Sequence, residues 1–274
     1  MQEYIRKLVL GLRRALLSKR RPNPAPETTT TSDESTAGPS RSDKVEELPS
    51  REIPKEELTE PISAETQVTM ALETLKIEHV PPTHQVYAAF FRDVTNSDFL
   101  HAQLKARNPE FDYALIDASS VISRHHLLSG VFNALIVILD GTLLSQTPHS
   151  EIVLSMSTNN NIADAYRRWG IAPGKTKDLI VVKLVISPSS TEADSATQPA
   201  AQTPESIWAH LSESIKGRPV PLSDEEISTA TDWQKVRKYY SLNNVPVLAK
   251  TEGEEAKKKV METLAVSSMA LRTL

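Results

Sequence analysis

The strongest periodic signal in the chain runs from Arg124 to Leu139. Leu127, Leu128, Val131, Leu135 and Ile138 recur at the helical period of about 3.6, and Phe132 and Ile136 widen the apolar face. Ser123 stands at the N-cap and Gly141 just past the end, so start and stop signals bracket one mostly buried helix. Leu179–Ile186 is apolar and β-branched, the clearest strand of the chain. Residues 86–91 read as a buried strand, 75–80 as a partly alternating one, 114–116 as a short buried one and 151–156 as another strand. A helix is predicted from Asn96 or Ser97 to Arg107, with Phe99, Leu100 and Leu104 on one face and Pro109 as its stop. A second runs over 162–169, ended by Gly170, and three more cover 205–215, 232–240 and 253–272. Strands and helices intermix without an internal repeat, which points to a single α/β or α+β domain over residues 70–274.

The first 69 residues do not share this patterning. Of three Trp, six Tyr and five Phe, only Tyr4 precedes Tyr87. Residues 22–69 hold seven of the 18 prolines, a Thr28 to Ser32 run, and 11 acidic against four basic side chains. Such a segment buries too little apolar area to offset backbone ordering at ~1–2 kcal/mol per residue, so 1–69 is expected to be a disordered, dispensable extension. At its start Ile5, Leu8, Val9, Leu12 and Leu16 recur at helical spacing among seven basic residues, ending in Lys19-Arg20-Arg21. A presequence, a membrane-surface helix and a nuclear signal all fit that stretch, and a dispensable extension fits it best. Met70 is a second plausible start. The Ser-, Thr- and Pro-rich stretch 187–204 is expected to be a flexible insert.

Composition removes several chemistries. With no cysteine there is no disulfide scaffold, thiolate metal site or cysteine nucleophile. Net charge is −4, not the basic balance of a protein that wraps duplex nucleic acid. Gly170-Ile171-Ala172-Pro173-Gly174-Lys175-Thr176 ends like a phosphate-binding loop. It has three residues where that loop needs four, and it follows a helix instead of opening one, so a helix end plus a turn is the expected structure. His125-His126 are adjacent and diverge by about 100° on a helix, which fits surface or capping histidines better than a metal pair. No G-x-S-x-G occurs, and Glu225-Glu226 fall in a charged stretch expected to be solvated. Asn159-Asn160-Asn161 precede a helix. One is enough for an N-cap; three also present amides to an anion or a ribose.

These residues also carry a resemblance. Ser150-Glu151-Ile152, Leu154-Ser155, Ser157-Thr158-Asn159-Asn160-Asn161-Ile162, Ala165 and Trp169-Gly170-Ile171 resemble the central signature of the kinase-binding small subunit of the EKC/KEOPS complex. That signature reads approximately S-E-I, S-P-x-N-N-I and F-G-I. Val94-Thr95-Asn96 and the closing stretch from Ala265 to Arg272 fit the same family, a fungal-type member with an N-terminal extension. The sequence departs from the pattern at Thr158, at Trp169, and from Gly141 to His149, where no Lys or Arg precedes the signature.

The resemblance implies a mainly antiparallel sheet flanked by helices, no catalytic activity and no cofactor or metal. Its implied partners are the atypical kinase/ATPase subunit and the remaining EKC/KEOPS subunits, including the threonylcarbamoyltransferase. It also implies help in recruiting tRNA, including the 3′ CCA end, for threonylcarbamoyladenosine formation. A nuclear location with links to chromosome, telomere and transcription, and also the cytoplasm, belongs to the same expectation; a membrane does not. For kinase binding the candidates are Val266, Met269 and Leu271 on the closing helix, whose last eight residues are expected to be dispensable for the fold. The 127–138 helix is a second candidate, better read as core. For RNA they are Asn159, Asn160, Asn161, Arg167, Arg168, Lys175 and Lys177. Two other classes stay open: an adaptor unrelated to tRNA, and a nucleotide-binding protein that uses Gly174-Lys175-Thr176.

Overall fold

The computed structural model describes residues 71–187 and 202–272. The expectations for 1–69 and for most of the 187–204 insert lie outside them. Five strands form one sheet: β1 Glu73–Leu75, β2 His84–Arg92, β3 Ala114–Asp117, β4 Leu179–Ile186 and β5 Arg218–Val220. The order is β1-β2-β4-β3, with β5 also on β2, and every pairing is antiparallel. The α+β expectation is therefore met.

The central pair shows why these strands are so apolar. In β2, Val86, Ala88 and Phe90 face one core while Tyr87, Ala89 and Phe91 face another. In β4, Ile180, Val182 and Leu184 join the first core, and Leu179 and Val181 the second. A sheet covered on both faces needs apolar residues at consecutive positions. The second core is closed by helices α1, Ser97–Ala106, and α5, Pro204–Ser214. The first is closed by α2 Arg124–Leu139, α3 Pro148–Ser155, α4 Ile162–Trp169, α6 Asp224–Ala230, α7 Trp233–Tyr239 and α9 Glu254–Leu271, with the short α8 Pro246–Lys250 beside them.

Helix α2 has the predicted bounds. Ser123 Oγ accepts the His126 N–H, and the chain turns away at Gly141 with φ +66°. Gly130 serves packing instead. A Cβ there would lie 2.3 Å from Met156 Sδ and 3.3 Å from Met269 Cε, so glycine lets α2 approach α3 and α9 closely.

Several expectations are corrected. Residues 151–156 are not a strand but most of α3, with Thr147 Oγ1 capping Ser150 N–H and Pro148 in the first turn. Glu151 to Ser155 are buried on every side, and an apolar run buried all round carries no helical period to read. The strand expected at 75–80 ends at Leu75; His79 takes a left-handed φ of 65°, and Pro81 and Pro82 have no N–H for a ladder. Asn96 does not cap α1. Its Nδ2 donates to Ser214 O at 2.8 Å and its Oδ1 accepts from Lys216 N–H at 3.0 Å, tying α1 to the end of α5. Phe99 is 45% exposed and stacks edge-on against Phe111 instead of joining Leu100 in the core. The solvated stretch expected at Glu225-Glu226 is observed: Glu225 is exposed and Glu226 half-exposed in the first turn of α6, whose Ile227 enters the core. The strand β5 and the helices α6 and α8 are too short to leave a periodic signal.

His125 is exposed, but His126 is fully buried and not a surface residue. Its Nδ1 accepts the Ile122 N–H at 3.2 Å, so the ring proton sits on Nε2, 2.7 Å from Tyr240 Oη, which itself donates to Met156 O. Burial pushes its pKa down to about 3. His149 is also buried and lowered by desolvation; its Nε2 accepts the Leu184 N–H at 3.0 Å where β4 runs past the end of β3.

Two predictions follow from this packing. Gly130→Leu is expected to lower stability by ~1–3 kcal/mol through overpacking, read as the urea midpoint. Because both histidines have folded pKa values below the unfolded value of about 6.5, the unfolded chain binds more protons below that pH. Stability should be flat in these groups above about pH 6.5 and fall below it, by up to ~1.4 kcal/mol per pH unit for each histidine. A melting temperature that stays constant from about pH 7.5 to 5 would contradict the neutral buried rings.

Candidate functional site

The asparagine run divides its labour. Asn161 Oδ1 accepts the Asp164 N–H at 3.1 Å and is the N-cap of α4. Asn159 closes the turn, accepting from Asn161 N–H at 3.0 Å and donating to Asp164 Oδ2 at 3.3 Å. Asn160 is exposed and accepts from Arg272 Nη1 at 3.0 Å. Asp164 is held below the usual carboxylate range, against the desolvation that would raise it, by Asn159 and by Arg167 and Arg168. Arg167 pairs with Asp164. Arg168 donates to Asp164 Oδ1 at 3.1 Å and to Tyr239 O at 3.2 Å, and lies 5.9 and 5.6 Å from the Trp169 and Tyr239 ring centres.

Both arginines line a groove of about 1110 Å³ at the β3 side of the sheet. One wall comes from the end of α1 and the turn after it, with His101, Lys105, Arg107, Phe111 and Asp112. Facing it are Thr147 and Ser150 of α3, Ile162 and Tyr166 of α4, and the loop from Ile171 to Lys175. Lys235 lies beside Asp117, 3.5 Å away. The groove thus joins a cationic rim to an apolar and aromatic floor. Of the RNA candidates it gathers Arg167, Arg168 and Lys175; Asn159, Asn160, Asn161 and Lys177 stand outside it.

The loop that ends like a phosphate-binding loop is the expected helix end and turn. Thr176 Oγ1 accepts the Ala172 N–H at 2.9 Å, Lys175 and Thr176 donate their N–H groups to Ala172 O, and Gly174 N–H goes to Ser97 Oγ. Its amides are engaged within the protein and do not converge on a ligand.

A second surface lies on α2 and α9. Helix α9 buries Met261, Ala265 and Met269. Met269 is fully enclosed against Gly130 and is core, not interface, which corrects one kinase candidate. Val266 is half-buried and Leu271 is 58% exposed. On α2, Phe132 and Ile136 are half-buried and stay outside the core that Leu128 and Ile138 join. The end of α9 makes buried contacts, so its removal is expected to cost the fold. Arg272 is enclosed, donates to Ser155 Oγ at 3.0 Å and sits 3.9 Å from the buried Glu151 carboxylate, whose other oxygen accepts the Leu144 and Ser145 N–H groups. Removing one partner of a buried ion pair leaves an uncompensated charge.

With this geometry in place, the comparisons are specific. Residues 91–273 match the family model of kinase binding protein CGI-121. The chain belongs to the CGI-121 family of kinase-binding proteins. A Neurospora crassa protein named EKC/KEOPS complex subunit cgi121 is 53% identical over 207 residues, covering 75% of this chain and 100% of that protein. A Gibberella zeae protein of the same name is 52% identical over 203 residues, covering 74% and 99%. The Schizosaccharomyces pombe protein of that name is 30% identical over 162 residues, covering 59% and 84%.

In CGI-121 terms, the family signature is a folding unit. Its Glu151 holds the loop before α3, its last asparagine caps α4, and Trp169 is buried beside Tyr240. Sequence reasoning missed His101, Lys105, Arg107, Asp112, Tyr166 and Lys235 because they come from separate segments with no shared motif. No helix among the described residues is long and apolar enough to cross a membrane. Asn161→Ala is expected to lower stability by ~1 kcal/mol in urea titration, and Asn161→Ser to restore most of it, because serine also caps. An unchanged midpoint for the alanine variant would show that α4 does not depend on this cap.

Proposed function

We propose that this chain is the non-catalytic CGI-121 subunit of an EKC/KEOPS complex. It binds and stimulates the atypical kinase/ATPase subunit through the apolar surface of α2 and α9, and helps bring tRNA to the complex for threonylcarbamoyladenosine formation. The observation that carries the kinase reading is the pair of half-buried side chains Phe132 and Ile136, set outside the core on a helix this apolar. Interfaces are centred on large side chains that lose water on binding, and these two, with Leu139, Val260, Val266 and Leu271, are apolar side chains left available outside the core on the two helices. The exposed Leu143 and Leu144 occupy the loop where the family is often basic, so this stretch is not the phosphate contact.

The groove supports the tRNA part of the reading. Among the described residues Lys105, Arg107 and Lys175 have no carboxylate within ion-pair distance, so they can meet phosphates, while the half-buried Tyr166 and Tyr239 offer ring surface to unpaired bases. The nuclear, telomeric and transcriptional setting rests on the family resemblance alone.

Phe132→Glu tests the kinase surface. The variant is expected to melt within a few degrees of wild type and to lose at least about ten-fold in affinity for the kinase subunit, since charge at a desolvated interface centre is costly. Full retention of kinase binding by Phe132→Glu and by Leu271→Glu would remove this face from the proposal and leave an adaptor of another kind.

A further inference from the structure

We propose that Thr147 is a phosphorylation site for a proline-directed protein kinase, and that phosphate there closes the groove to RNA while leaving the α2 and α9 surface free; this rests on the reading that the groove holds RNA. Of the 18 prolines, three follow a serine or threonine: Pro148 after Thr147, Pro188 after Ser187 and Pro204 after Thr203. Proline has a fixed φ and no N–H, and proline-directed kinases choose their acceptors by it. Thr147 is extended, at φ −135° and ψ 154°, the backbone form that a kinase cleft takes. It ends a loop in which Gly141 to Leu144 and Gln146 are exposed. Of the three acceptors it alone lines the groove.

The groove is where a phosphate would count. Six Lys and Arg side chains and two carboxylates line it, a cationic surplus available to the phosphates of a strand. A phosphothreonine brings about −1.5 to −2, which cancels close to half of that surplus from within the cleft, opposite Lys105 and Arg107. Like charges repel, so incoming RNA would meet an anion that already occupies the rim cations. Asp112 shares that wall, and its charge adds to the repulsion. The step is a phosphoryl transfer. Thr147 Oγ1 bonds to the γ-phosphorus of a nucleoside triphosphate held by the kinase, and the bond to the β–γ bridging oxygen breaks. The nucleoside diphosphate leaves, and the hydroxyl proton passes to the kinase's catalytic carboxylate. To react, the hydroxyl must release Ser150, whose N–H it accepts at 3.1 Å and to whose Oγ it donates at 3.0 Å. Phosphate oxygens can accept the same N–H afterwards, so the start of α3 survives the modification.

The rival is that Thr147 and Pro148 only start α3, as Thr203 and Pro204 start α5. Two measurements on the full chain decide. Incubated with a purified proline-directed kinase and ATP, the folded chain should take up phosphate at Thr147, mapped by mass spectrometry of its peptides, and Pro148→Ala should lose that uptake. The phosphorylated chain should then bind a short single-stranded RNA about ten-fold more weakly than the unmodified chain. A Thr147→Asn chain treated in the same way controls for phosphate at Ser187 and Thr203. Thr147→Asp and Thr147→Asn both keep a capping side chain and differ in charge, so the Asp variant should bind RNA several-fold more weakly than the Asn variant, by a gap that shrinks as salt is raised. Affinity for the EKC/KEOPS kinase subunit should stay within about two-fold throughout. No phosphate at Thr147, whether or not Ser187 and Thr203 are labelled, or equal RNA binding by the Asp and Asn variants, overturns the proposal and leaves the groove reading standing. RNA binding that is absent from the unmodified chain, or untouched by Lys105→Glu and Lys175→Glu, overturns the groove reading and the proposal with it.

Discussion

The antiparallel pairing of β2 with β4 is the constraint on which everything else hangs. Registered from His84 opposite Ile186 to Phe91 opposite Leu179, the two strands are buried along most of their length on both faces. Such a pair is stable only when helices cover both sides. That demand explains why α3 is buried on nearly every side, why Gly130 is small, and why His126 and Tyr240 satisfy each other in the core. It also places the groove. Strand β3 is only four residues long, so the sheet edge beside it is finished by other devices: a bridge from Ile116 to Gly170 and the His149 contact to Leu184. The segments that make this improvised edge are the ones that line the cationic cleft.

Two surfaces of opposite chemistry result. The α2 and α9 helices leave apolar side chains outside the core, suited to a protein partner. The groove is concave, cationic at the rim and aromatic at the floor, suited to an unpaired strand. A CGI-121 protein that uses both would bring two partners to one small scaffold. The family signature supports this from beneath, since its residues cap α4, fasten the loop before α3 and fill the core, and Ser150, Ile162 and Ile171 of them reach the groove.

Much of this was legible in the chain. The 3.6 period with Ser123 and Gly141 at its ends determined α2 to the residue, and the β-branched run determined β4, because local capping and burial on both faces leave direct marks in sequence. The ordered matches around Asn159 to Ile162 placed the chain in its family, and the turn at Gly174-Lys175-Thr176 was readable from its spacing and its position after a helix. What only the tertiary structure decided is which side chains meet. Whether 151–156 is helix or strand depends on what surrounds it, and a run buried on every side looks the same either way. Met269 and Leu271 are both apolar on the same helix, and only the approach of α2 at Gly130 separates core from surface. The groove draws on α1, the turn before β3, α3, α4, α7 and the loop before β4, segments brought together by the sheet and not by any periodicity a single chain can display.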